Sequence, residues 1–246
     1  MKKYGLLGYP LSHSFSKGYF TDKFEKEQLD AEYCNFELPE ASGILSYIND
    51  DNHICGLNVT IPHKQAIMPM LDHIADEARE IGAVNVVKIV RDDEGCRLEG
   101  YNSDVYGFSE SIKPLLKSSH KKALVLGTGG ASKAVFFGLK QMGIEPIYVS
   151  RKASEGILCY EDLDGEILSS HTVIVNATPL GTSPNVDSCP DIPYELIGKE
   201  HLLYDLVYNP SETLFMKKGL AQGATVKNGL EMLHLQAERA WEIWNQ

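Results

Sequence analysis

Short apolar runs alternate with amphipathic stretches along most of the chain, the pattern of strands joined by helices in an α/β architecture. Early strands are predicted over residues 4–8, 31–37 and 55–60. Crossover helices have room over 17–28 and 39–49, and a further helix over 72–81 closes at Gly82. Residues 86–91 and 96–100 flank the polar turn Asp92-Asp93-Glu94-Gly95 and predict a hairpin, an antiparallel element placed at the edge of a first, mixed sheet. A helical stretch over 104–117 leads into the polar run Lys117-Ser118-Ser119-His120-Lys121-Lys122. There a second set of apolar strands begins, over 123–126, 146–150, 172–176 and 202–206. Residues 212–221 read as a helix, and 229–245 carry Leu230, Leu233, Ala237, Ala240, Trp241 and Trp244 at helical spacing, a face that belongs on a core.

Composition narrows the classes. A chain of 246 residues, 43% hydrophobic and 23% charged, is globular in make-up. It has the length of one large α/β domain or of two with roughly 100–150 residues each. No stretch approaches the ~18 consecutive apolar residues of a membrane span. The start Met1-Lys2-Lys3-Tyr4-Gly5-Leu6-Leu7-Gly8-Tyr9-Pro10 breaks too soon for a secretory apolar region. A soluble, cytoplasmic protein with no membrane partner is expected. With 23 basic and 34 acidic side chains the net charge is −11, which disfavours a nonspecific grip on nucleic acid. The five cysteines (Cys34, Cys55, Cys96, Cys159, Cys189) show no ligand spacing, so reduced thiols and no metal site are expected.

Three strand ends of the second half carry candidate chemistry. Leu124-Val125-Leu126-Gly127-Thr128-Gly129-Gly130-Ala131-Ser132-Lys133 reads as a buried strand, a glycine turn and a helix start. Glycines there let backbone N–H groups approach a pyrophosphate, and the helix N-terminus adds partial positive charge. A tight turn without a ligand is the plainer alternative. Where an NAD site usually has a carboxylate, about 20 residues on, this chain has Tyr148-Val149-Ser150-Arg151-Lys152. Two cations and a hydroxyl suit a 2′-phosphate, so NADP(H) is favoured, against an exposed basic turn with no role. The third strand ends in Asn176-Ala177-Thr178-Pro179-Leu180-Gly181, a polar switch that makes Thr178 a further cofactor candidate or simply part of a turn.

The first half has its own polar strand ends. Ser14 and Ser16, two apart in a loop, are placed to hydrogen-bond one carboxylate, unless Ser16 is only a helix cap. Asn58-Val59-Thr60-Ile61-Pro62-His63-Lys64, Gly82-Ala83-Val84-Asn85 and Gly100-Tyr101-Asn102-Ser103-Asp104 each end an element in polar groups. Lys64 read alone is a surface lysine, and Asp104 a helix cap.

Together these runs resemble the shikimate dehydrogenase family. With Ser12-His13-Ser14-Phe15-Ser16, Asp205-Leu206-Val207-Tyr208-Asn209-Pro210 and Gly229-Leu230-Glu231-Met232-Leu233-His234-Leu235-Gln236-Ala237, they match it in order over nearly the whole chain. The resemblance implies an N-terminal mixed-sheet α/β substrate domain (1–103 and 230–246) and a Rossmann-like NADP-binding domain (104–229), with the ligands meeting in a cleft between them. It implies the NADP-dependent interconversion of 3-dehydroshikimate and shikimate in aromatic amino acid (chorismate) biosynthesis. Ser14, Ser16, Thr60 and Tyr208 would face the substrate carboxylate, while Asn85, Asp104 and Gln236 would hold its hydroxyls. Lys64 and Asp104 would be the catalytic pair, in a monomer or homodimer. The cofactor's phosphates would lie on Gly127, Thr128, Gly129, Gly130 and Ala131 and on Ser150, Arg151 and Lys152, with Leu206 and Gly229 near the nicotinamide. Lys17 stands where the family commonly has Pro, Ser103 where it has Thr, and Ser150-Arg151-Lys152 where it has Asn-Arg-Thr. The crossover over 151–171 is predicted to be short or largely irregular. An NAD-linked quinate/shikimate dehydrogenase is the alternative within enzymes; a non-catalytic ligand sensor is the alternative outside them.

Overall fold

The computed structural model describes residues 1–11, 15–93 and 95–246. The chain divides into two units, Met1–Ser103 with Ala237–Gln246, and Asp104–Gln236.

In chain order the first unit contains β1 (Lys2–Gly8), α1 (Phe15–Lys26), β2 (Ala31–Glu37), α2 (Ile44–Asp50), β3 (Ile54–Val59), α3 (His63–Ala66), β4 (His73–Ile74), α4 (Asp76–Ile81), β5 (Val86–Asp92) and β6 (Gly95–Tyr101). Its sheet runs β2-β1-β3-β5-β6-β4, with β1, β2 and β3 parallel and β5 antiparallel to both neighbours. Both faces are covered, so successive residues of β1 are apolar and serve opposite sides. Tyr4 and Leu6 pack with Phe20, Phe24 and Tyr33 on one face. Leu7 packs with Phe36, Ile44 and Ile48 on the other. The end of the chain's last helix closes the first of these faces: Trp244 stacks on Tyr4 with ring centroids 4.8 Å apart, and its indole N–H donates to the Val87 carbonyl at 3.1 Å.

The hairpin is not the sheet edge. Two-residue β4 pairs parallel with β6 beyond it. The helix expected over 72–81 therefore starts only at Asp76: Asp72 N–H donates to Leu98 O at 3.0 Å and its carboxylate accepts from Leu98 N–H at 2.8 Å, which draws residues 72–75 onto β6. Gly82 ends α4 in the left-handed conformation, φ 70°.

The second unit contains α5 (Asp104–Ile112), β7 (Lys122–Leu126), α6 (Gly130–Gln141), β8 (Glu145–Ser150), β9 (Ile157–Cys159), α7 (Gly165–Ser170), β10 (Val173–Asn176), β11 (Leu202–Asp205), α8 (Leu214–Ala221), β12 (Thr225–Lys227) and the first part, to Gln236, of α9 (Leu230–Trp244). All its strands are parallel, in the order β12-β11-β10-β7-β8-β9. Ala123 and Val125 face Phe108, Val135 and Leu139, whereas Leu124 and Leu126 face Leu168, Ile192 and Phe215. This doubly wound sheet reverses direction between β7 and β10, where such sheets bind ligands.

The crossover after β8 departs from the usual helix. Residues 151–156 form a loop, β9 pairs with no more of β8 than Tyr148 to Ser150, and α7 is six residues long, capped by the Asp164 carboxylate. Neither β9 nor β12 was expected from the sequence. The division inside α9 falls at Gln236 rather than at residue 229, since Met232 packs against Phe108 and the second sheet.

Candidate functional site

In the first unit, Thr60 directly follows β3, and its N–H donates to Leu7 O at 2.9 Å. The next turn leads into α3, whose first residue, buried His63, bonds through Nε2 to Leu38 O at 2.7 Å. Lys64 thus sits on a pinned helical turn, half-buried. Two backbone bonds bracket it: Val84 N–H donates to Lys64 O, and Val59 N–H donates to Asn85 O, both at 2.8 Å. The Asn85 side chain accepts from Ser103 N–H at 2.7 Å and donates to Ser103 Oγ at 3.1 Å. Lys64, Asn85, Asn58 and Thr60 therefore share one end of the sheet.

Ser16 lies in the first turn of α1, one residue past its start, and is not its cap. It hydrogen-bonds the buried Tyr33, whose phenol donates to Asn58 Oδ1 at 2.7 Å. Burial raises the Tyr33 phenol well above its ordinary range and keeps it a neutral donor. No sequence signal marks this relay, because Tyr33 occupies an ordinary inward position of β2. The Ser14 expectation lies outside the described residues.

In the second unit, Gly127 takes φ 99°, a conformation side chains resist, at the point where β7 leaves the sheet. Its N–H donates to Val149 O at 2.8 Å, one residue before Ser150. Thr128 and Gly129 are exposed, nothing lies within 4 Å of the place a Gly129 Cβ would fill, and no side chain caps α6. Ser132 Oγ donates back to Gly129 O at 2.6 Å within that first turn. An open, uncapped N-terminus on a twelve-residue helix, led by Gly129, Gly130 and Ala131, fits a pyrophosphate. Arg151 and Lys152 follow β8 as exposed cations, and Arg151 lies close enough to Tyr160 to lower its phenol pKa against the rise that burial causes.

The neighbouring strand ends form a buried network. Asn176 Oδ1 accepts from Thr178 N–H at 3.0 Å and from Thr178 Oγ1 at 2.6 Å. Its amide donates to Asp205 Oδ1 at 2.9 Å. Asp205 is fully buried, and burial pushes its carboxyl up to about 6. Leu206 N–H donates to Asn176 O at 2.9 Å and Gly229 N–H to Val207 O at 3.2 Å, while Tyr208 is 38% exposed just beyond. All the cofactor candidates thus gather along the carboxyl edge of one sheet.

Asp104 is the first residue of α5 and is buried. One turn on, Gly107 lets α9 approach: a Cβ there would lie 2.6 Å from Met232 O and 3.0 Å from Gln236 N. The close approach thus packs α5 on α9 at Gln236, one turn beyond Asp104.

These features define a class: a two-unit α/β oxidoreductase whose second unit has the order and the glycine turn of a Rossmann-type dinucleotide-binding domain. The family description "shikimate dehydrogenase substrate binding domain" matches residues 6–87. A shikimate dehydrogenase (NADP(+)) of Clostridium beijerinckii is 39% identical over 100% of this chain and 93% of its own. That of Caldanaerobacter subterraneus subsp. tengcongensis is 36% identical over 99% and 91%. The solved shikimate 5-dehydrogenase of Thermus thermophilus in complex with NADP(H) and shikimate superposes with a TM-score of 0.86 at 33% identity, covering 99% of this chain and 93% of that one. The chain belongs to the shikimate dehydrogenase family.

Proposed function

We propose that the protein catalyses 3-dehydroshikimate + NADPH + H⁺ ⇌ shikimate + NADP⁺, a step of aromatic amino acid biosynthesis. The first unit binds the substrate, joined by Asp104, Tyr208 and Gln236 of the second, and the second binds the cofactor, in the cytoplasm. All five cysteines are free thiols, as a reducing compartment favours, and among the described residues no helix is long and apolar enough to cross a membrane.

When bound, the nicotinamide supplies or takes up the hydride. The chain's residues do the rest. Ser14, Ser16, Thr60 and Tyr208 hold the substrate carboxylate, and Asn85, Asp104 and Gln236 hold its hydroxyls. Lys64 gives a proton to the reacting oxygen as carbonyl becomes alcohol, and takes it back in reverse; Asp104 orients lysine and substrate. Gly127 to Ala131 with Ser150, Arg151 and Lys152 receive the phosphates, and Thr178, Leu206 and Gly229 border the nicotinamide. The 2′-phosphate preference follows from Arg151 and Lys152 standing where NAD sites carry an acid.

The observation that carries this reading is the pair of backbone bonds at the end of β3 that fixes Lys64 beside Asn85. The test is the loss of NADPH absorbance on adding 3-dehydroshikimate, with NADH as comparison and quinate with NADP⁺ in the reverse direction. Rapid oxidation of NADPH and slow oxidation of NADH are expected. Faster turnover of NADH and quinate would favour the broader dehydrogenase, and no oxidation of either cofactor would reject catalysis.

A further inference from the structure

Asp205 closes β11 opposite Asn176, the last residue of β10. It is fully buried, and its hydrogen-bond partners include no lysine or arginine. Oδ1 accepts from the Asn176 amide at 2.9 Å and from Val207 N–H at 3.0 Å, and Oδ2 accepts from Thr213 Oγ1 at 2.6 Å. Each donor anchors a different piece of chain. Asn176 holds Thr178 by two bonds and leans toward Leu180 O at 3.4 Å. Val207 belongs to the turn running from Leu206 to Tyr208. Thr213 caps α8, accepting from Met216 N–H at 3.3 Å.

We propose that Asp205 is a positioning residue for the reaction: its carboxylate holds in register the turn that carries Thr178 and the turn that carries Leu206 and Tyr208. It touches neither ligand. A buried acid without a cationic partner is destabilising by itself, and an apolar residue would fill the strand end better. What the acid supplies is a three-way acceptor that an apolar side chain lacks. Fixing two loops before ligands arrive removes ordering entropy from binding. The inference rests on the functional reading above for the roles of Thr178, Leu206 and Tyr208.

The test titrates NADP⁺ into wild type, Asp205→Asn and Thr213→Val by calorimetry at 15 °C, with melting temperatures, KM for shikimate and kcat measured on the same samples. Asparagine keeps the shape but leaves one acceptor oxygen, so Asp205→Asn should raise the Kd for NADP⁺ roughly tenfold and KM for shikimate several-fold, with kcat changed less. Thr213→Val should move the same quantities in the same direction by a smaller factor, and it decides the matter if Asp205→Asn does not fold. A lowered melting temperature with unchanged Kd and KM would mean a purely structural acid and would overturn the proposal. A wild-type protein that neither binds NADP⁺ nor oxidises NADPH would instead bring down the functional reading, and this inference with it.

Discussion

Lys64 rides on a helix of four residues, too short to be stable by itself, and its position comes from neighbours: His63 bonded to Leu38, and Val84 bonded to the Lys64 carbonyl. Removing the side chain should therefore leave the backbone in place. Lys64→Ala is expected to cut kcat by roughly 10²–10⁴-fold with little change in KM for shikimate, read by steady-state kinetics. Asp205 gives a second residue-scale expectation, this one in stability. Its folded pKa of about 6 lies above the usual carboxylate value, so the folded state binds the extra proton. The contribution is fully present below about pH 4 and is lost as pH rises through about 6, amounting to roughly 3 kcal/mol over that window. Urea denaturation should show Asp205→Asn gaining on wild type by up to that amount between pH 4 and pH 7.5. A constant difference between the two across the range would contradict it. In the sequence Asp205 is only one residue of a run that matches the family, and the folded structure alone shows what it joins. Tyr33 carried no signal at all, because an inward tyrosine on a strand reads as core.

Elements were legible in proportion to length and burial. β2 was predicted at its observed limits, and β7, β10 and β11 within a residue or so, because each is an apolar run bounded by polar residues. The two-residue β4 and three-residue β9 and β12 were missed, since so few residues carry no period and neighbouring strands decide their pairing. The extent of α5 was overread for a different reason: Pro114 follows it, and the chain tightens into a 3₁₀ turn from Lys113 to Leu115. The contact of α5 with α9 supplies a prediction of its own. Gly107→Ala would drive a methyl into backbone at Met232, which cannot yield as a side chain tip does. A loss of about 1–3 kcal/mol in urea denaturation is expected, together with a raised KM for shikimate as Gln236 is displaced. Gly18→Ala in α1, where nothing lies within 4 Å, should instead stabilise by about 0.5–1 kcal/mol.

For the molecule as a whole, the sequence told most about its second unit. A glycine turn after one strand, a basic group after the next and an asparagine after the third reappear along one edge of an all-parallel sheet, as strand order and right-handed crossovers require. The first unit was less transparent, because its polar residues come from turns between strands of mixed direction, and only the ordered match to a family joined them. The short crossover after β8 reaches further than the cofactor. Because β9 meets only the last three residues of β8, no strand among the described residues covers the outer side of Glu145, Pro146 and Ile147. Such a margin is a template on which another polypeptide can extend the sheet. A ring nitrogen without hydrogen and an exposed carboxylate stand there and blunt it. Pro146→Val should restore the missing donor and raise the light scattering of concentrated solutions, because it removes one of the two features that blunt this border.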